Sequence, residues 1–288
     1  MIAALQDPMV QRILIVALLV GTTAPVVGTY LVQRRMALLG DGIGHVALAG
    51  VAAGWLAGSA AGLAQRDLLA VPGAILFALI GAVIIERMRS RGTAAADVVM
   101  AILFYGGIAL GVLLISIAGG TNANLLGYLF GSISTVSWTD VWVTLALAAV
   151  ILVLGLGLRA ALFAVTHDQE SAYAMGLPVQ VLNMVVAVLA AVTITVAMRV
   201  VGVLLVSALM IIPVAIAQLM TRSFARTMTV SMAIGVALCL TGVSITLQYD
   251  LQPGALIVVL GVAVYMVVAS GAAVVQRRHR RQSMEAHT

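Results

Sequence analysis

Nine apolar runs, charged only near their ends if at all, divide this chain, near residues 12–33, 43–63, 68–86, 97–118, 138–158, 179–198, 200–220, 227–247 and 254–275. Each approaches the roughly 20 residues that a helix needs to cross hydrocarbon. The expected fold is therefore all-α and polytopic, with about nine transmembrane helices. Composition agrees: 63% of residues are hydrophobic and 9% are charged, and the mean hydropathy is +1.17. That leaves too little polar surface for a soluble chain of 288 residues. A tenth stretch, 121–134, is uncharged but rich in Gly and Asn and reads as a short or re-entrant helix that adds no crossing.

Arginine supplies the orientation. Lysine is absent and all 15 basic residues are Arg, for a net charge of +5. Arg34/Arg35, Arg87/Arg89/Arg91, Arg159, Arg222/Arg226 and Arg277/Arg278/Arg280/Arg281 fall on one side if every intervening pair of spans returns the chain. By the positive-inside rule that side is cytoplasmic. The N-terminus is then outside and the C-terminus inside, as expected of a multi-pass protein of the cell membrane. Arg12 and Arg199 depart from the pattern as single charges at span ends, where they can snorkel. The first run is too long and too weakly basic at its start for a cleaved signal, so it is expected to stay as a span. The basic excess suits anionic headgroups, and no nucleic-acid motif is present. A lone cysteine, Cys239, excludes an intrachain disulfide.

Where the second run begins, Asp41 and His45 are four residues apart, which on a helix places both on one face. A carboxylate and an imidazole are ligands for a first-row divalent cation, and ionisable groups at membrane depth mark transport paths. The ordinary alternative for His45 is an interhelical hydrogen bond. Gly50, Gly54, Gly58 and Gly62 recur at every fourth position behind it, a small-residue ridge that lets another helix approach. The 14 methionines are scattered, which fits adaptable packing better than a thioether path.

The longest cytoplasmic connection, 159–178, holds a second pattern. Thr166 or Asp168 is placed to cap a short helix that Gly176 and Pro178 end. Such an element, at about 166–178, is suited to docking a soluble partner, or is simply a loop helix. His167 beside it should be solvated. The polar tail, 276–288, which carries His279 and His287, is expected to be disordered or to lie on headgroups, after a permease domain over 1–275.

No energy source is visible. Without lysine the phosphate loop G-x-x-x-x-G-K-[ST] cannot exist, so if the chain belongs to a primary pump, ATP is hydrolysed by another polypeptide and the chain itself is expected not to be an enzyme. Apart from Asp41, the carboxylates Asp97, Asp140 and Asp250 sit at span ends. A proton-coupled secondary metal transporter would want several intramembrane acids. An intramembrane metalloenzyme would want H-E-x-x-H or an equivalent.

Five blocks now stand in order: Arg34 to Asp41 followed by His45, Tyr128-Leu129-Phe130-Gly131, Gly176-Leu177-Pro178, Val201 to Pro213, and Pro253-Gly254. Together they resemble the permease subunit of ABC-type zinc/manganese/iron importers, over nearly the whole chain. The resemblance implies a fold similar to the cobalamin and siderophore importer permeases less one N-terminal helix. It also implies a homodimeric or heterodimeric pore, ATP-binding cassette subunits docked at the cytoplasmic segment, and an extracytoplasmic solute-binding protein that delivers the metal. Asp41 and His45 match the family's acid and histidine on the pathway. Glu170, Ala172 and Gly176 match its E-A-A-x-x-x-G coupling pattern, with Ser171 in place of the first alanine. No permanently bound cofactor is implied, only a transported divalent metal ion.

Overall fold

The computed structural model describes residues 7–62, 66–91, 96–119, 127–131, 136–198, 201–249 and 251–285. Gln65, Arg199, Asp250, His287 and the larger part of 121–134 lie outside the described residues, as do the side chains of Asp97 and His279. Among the described residues, besides a helical stretch at 127–130, eleven helices follow one another: α1 Pro8–Gln33, α2 Leu39–Ala60, α3 Ala70–Arg91, α4 Ala96–Ile117, α5 Trp138–Gly157, α6 Arg159–His167, α7 Gln169–Ala174, α8 Val179–Ala197, α9 Val203–Met220, α10 Phe224–Tyr249 and α11 Pro253–Glu285. A short 3-10 turn, Arg66–Leu69, precedes α3.

Eight of these helices are long and apolar enough to cross a membrane, so the molecule is an all-α polytopic membrane protein. The remaining expected run, 200–220, corresponds to α9. That helix has 18 residues, and its described apolar part, Leu205–Met220, falls below the length of the others. Its start is held back by Gly202, whose φ of 86° is not helical. The connection 159–178 differs from a plain loop, because α6 fills its first half. The polar tail continues α11 as helix through Glu285, consistent with a run of Arg and Gln that contains no Gly or Pro.

The ends of the helices follow from local chemistry. Asp7 caps α1, accepting from Met9 N at 2.8 Å, with Pro8 at the first helical position. A capping box starts α5, where Ser137 Oγ accepts from Asp140 N at 3.2 Å and Asp140 Oδ2 accepts from Ser137 N at 2.9 Å. Arg12 does more than snorkel: it donates to Val136 O at 3.1 Å and lies 5.9 Å over the Trp138 ring, tying α1 to the start of α5.

Two helices form the centre. α1 packs against α5, α8, α9 and α10, and α2 against α3, α4, α8 and α9. Tyr30, fully buried in α1, donates to Gly155 O of α5 at 2.5 Å. α4 and α11 instead expose broad apolar faces, among them Ile102, Tyr105, Val259 and Val267. For a soluble chain such faces would be aggregation surfaces; for a membrane chain they meet lipid or another subunit. The glycine ridge of α2 is partly realised. A side chain at Gly50 or Gly54 would run into the backbone of Gly73 or Leu69, so α2 and α3 touch there backbone to backbone. Gly62 takes no part, since it ends the helix at φ 67° in open space.

Candidate functional site

α2 begins only after a tight turn. Arg34 closes α1 by donating its backbone N–H to Tyr30 O at 3.2 Å, and Met36 N reaches back to Leu31 O at 2.9 Å. Asp41 then falls in the first turn of α2, where a carboxylate also complements the positive end of the helix dipole. His45 follows one turn deeper and is 4% exposed.

The two residues sit in different surroundings. Asp41, half-buried, lines a cavity of about 220 Å³ with Leu38, Gly42, Met100, Phe104 and Tyr105. Its carboxylate accepts a hydrogen bond from Ser207 Oγ of α9. His45 does not line that cavity. Phe104 of α4, which does, packs edge-on against the imidazole with ring centroids 4.2 Å apart. The imidazole Nδ1 is buried with no hydrogen-bond partner. Buried polar atoms are nearly always paired, and an exception calls for a physical account. A nitrogen left open one turn from a carboxylate has room to take a hydrogen bond or a cation.

Close backbone approach fixes this geometry. A Cβ added at Gly107 of α4 would lie 2.6 Å from the His45 carbonyl carbon, and one at Gly44 would sit in van der Waals contact with Val203 of α9 at 3.4 Å. α4 and α9 therefore clasp α2 at the level of the site. Among the described residues no group of three or more His, Cys, Asp or Glu side chains comes together.

Sequence reasoning overlooked three residues here. Ser207 is the single hydroxyl in the apolar stretch Val201 to Pro213, and that isolation was a usable signal. Phe104 had none, being one apolar residue among many. Glu86, at the edge of the third apolar run, is 3% exposed. It accepts two bonds from Arg89, at 3.0 and 3.1 Å. Both carboxylate oxygens are thus engaged by one guanidinium, and Arg89 three residues on was the clue.

The second predicted segment is built by turn chemistry. Asp168, not Thr166, caps α7: its Oδ1 accepts from Glu170 N at 3.0 Å and Ser171 N at 3.1 Å, and its Oδ2 from Ser171 Oγ at 2.5 Å. The Ser171 hydroxyl, then the Ser171 N–H, hold the Asp168 carboxyl below the usual carboxylate range. Gly176, at φ 80°, reverses the chain after the helix. Ala172 is wholly buried, while Glu170, Tyr173 and Met175 are exposed beside an open groove of about 670 Å³ that Gln169, Glu170, Tyr173, Leu177 and Pro178 line in part. His167 is exposed as expected, stacked on Phe163.

Comparison with known proteins follows the same outline. The profile of the ABC 3 transport family matches residues 6–272. The manganese transport system membrane protein MntC of Halalkalibacterium halodurans is 32% identical over 250 residues, covering 87% of this chain and 82% of its own. PsaBC from Streptococcus pneumoniae, solved in complex with Fab, superposes with a TM-score of 0.80 at 30% identity and 93% coverage of both chains. An inward-facing metal-chelate type ABC transporter shares the fold, with a TM-score of 0.72 at 19% identity over 91% of this chain and 85% of its own.

Proposed function

The chain belongs to the ABC 3 transport family, and from that premise we propose that it is the transmembrane subunit of an ATP-driven importer that carries a divalent transition-metal cation into the cytoplasm. The observation that carries this reading is the pair on α2: a carboxylate opening to a cavity and, one turn on, a buried imidazole whose Nδ1 lacks a partner. Leaving such an atom unpaired costs roughly 1–3 kcal/mol. An arriving cation would remove that cost, which makes transient binding favourable without a permanent site.

Two ligands from one chain are too few to strip a cation of its water. A second permease copy, identical or related, would bring another carboxylate and imidazole across the pore axis. Mixed O/N donors suit Zn²⁺, Mn²⁺ or Fe²⁺, and affinity order does not choose among them; the MntC relative is a manganese protein by name. Energy comes from outside the chain. ATP-binding cassette subunits would dock at α7, reading Glu170, Ala172 and Gly176, while an extracytoplasmic solute-binding protein delivers the metal. ATP binding would shift the halves between outward and inward states.

Arginine parity supports nine crossings, since Arg222 and Arg226 join the other arginines on the cytoplasmic side only if α9 also crosses. In a Cys239→Ala background, Gln65→Cys should then react with an impermeant thiol reagent on intact cells, and Ser171→Cys only after the membrane is opened. Labelling of Ser171→Cys in sealed cells would put the coupling segment outside. The function itself is tested in sealed vesicles that hold the chain with its co-purified ATPase and solute-binding protein. Metal accumulation should require ATP and ignore a proton gradient. Uptake driven by a proton gradient without ATP would mean a secondary transporter instead.

A further inference from the structure

Arg34 joins the two predicted segments. Its Nε donates to Thr166 Oγ1 at 3.2 Å, across 132 residues of sequence. Thr166 is itself fixed, donating to Leu162 O at 2.6 Å, and it stands two residues before the Asp168 cap of α7. On its other side Arg34 runs into Arg35, whose φ of 57° makes it the one non-glycine residue in the left-handed region among the described residues. That conformation disfavours an arginine unless its surroundings hold it. α2, with Asp41 in its first turn, starts four residues later.

The charges around Arg34 are out of balance. Two guanidinium groups, Arg34 and Arg89, act on one buried carboxylate, Glu86, and Arg89 takes both of its oxygens. Arg34 Nη2 is buried with no partner. Burial first, then the like charge of Arg89, holds the Arg34 guanidinium down to about 10, so it stays charged at neutral pH. A charged donor bonded to a neutral hydroxyl, with a carboxylate nearby, has not reached its strongest partner; charge-assisted bonds are roughly twice as strong as neutral ones.

We propose that Arg34 is the positioning residue that transmits movement of the coupling segment to the metal-bearing helix. It is held by Thr166 in the state seen here and turns to Glu86 when the ATPase displaces the 166–176 segment. The turn at Arg35 moves with it, and so does the start of α2 that carries Asp41. This inference rests on the functional reading above and adds to it a named link between docking and cargo.

The test compares Arg34→Gln, Thr166→Val and their combination with the conservative Arg34→Lys and Thr166→Ser, in the full chain assembled with its ATPase. Arg34→Gln and Thr166→Val should each raise amide hydrogen exchange in both 36–45 and 168–176. Each should also lower the metal ions carried per ATP hydrolysed by about tenfold, a typical size for coupling between sites, with ATPase co-purification unchanged. The combination should be no worse than either alone, because one bond cannot be lost twice. Arg34→Lys and Thr166→Ser keep a donor and an acceptor and should stay near the wild-type ratio. A merely structural arginine would reduce the yield of folded protein at a constant ratio, and that result overturns the proposal. So does exchange confined to residues 36–45 in Arg34→Gln, or multiplied losses in the combination. The exchange measurement does not depend on cargo. A wild-type chain that carries no metal would overturn the functional reading, and the link would still stand or fall on whether the two segments open together.

Discussion

The helix that carries Asp41 and His45 and the segment that carries Glu170, Ala172 and Gly176 are held by opposite means. α2 has no side-chain cap at its start and keeps its geometry because α3, α4, α8 and α9 close on it. α7 is six residues long, too short to be stable by itself. It stands on an aspartate cap, a buried alanine and a left-handed glycine, with Tyr173 77% exposed. The proposed cargo site, set by its surroundings, would respond when the bundle rearranges, whereas the proposed docking site, set by its own turns, would keep its shape while it is pushed. That division suits a machine in which force enters at one place and an ion is released at another.

The largest expected effect comes from breaking the surroundings of α2. Gly107→Leu places a side chain where the His45 backbone already lies. Overpacking costs typically about 1–3 kcal/mol or more, so thermal unfolding should begin at lower temperature and metal uptake should vanish. An unchanged melting curve would mean that α4 does not clasp the site. Next in size is Ser207→Ala, which frees the Asp41 carboxylate. Loss of a residue that orients a metal ligand costs roughly 10–100-fold in affinity, measurable by metal titration of the assembled transporter, with melting unaltered.

At the coupling end the effects should stay local. Gly176→Trp forces a left-handed position onto a bulky residue, and Glu170→Arg reverses an exposed charge. Each should lower transport per ATP hydrolysed severalfold while leaving metal affinity at its wild-type value; changed affinity would erase the contrast between the two regions. The smallest effect concerns pH. Asp168 is held below its ordinary pKa by Ser171, so its contribution to α7 is present above the unfolded carboxylate value and is lost only as pH falls through the depressed one. Amide protection of 169–174 should be flat from pH 7 to pH 5, and loss within that window would contradict the cap.

The same contrast governs what could be read from the sequence. Helix positions were legible because burial in lipid demands long uncharged runs, and those runs agree with the helices to within a few residues except at the polar tail. α7 was legible because Asp168 and Gly176 act through bonds to near neighbours. Thr166 was a reasonable rival as cap, and only the fold, which brings Arg34 to its hydroxyl, gave it other work. Asp41 and His45 stood out as ionisable residues in an apolar stretch. Their supporting partners did not, because Phe104 and Ser207 reach the site from helices distant in sequence, Ser207 lying 166 residues from Asp41, by packing that no local pattern encodes. α9 came out shorter than its apolar run because Gly202 breaks the helix at the near end, a backbone choice that hydropathy does not register.

The central claim is that Asp41 and His45 hold the cation in transit. It is tested most directly by ATP-driven metal uptake into sealed vesicles that contain the Asp41→Asn or His45→Ala transporter, with membrane insertion, dimer assembly and ATPase content matched to the wild type. The account predicts uptake at background for both variants, because removing either ligand leaves too few donors for a partly dehydrated ion. Wild-type uptake by both would contradict it.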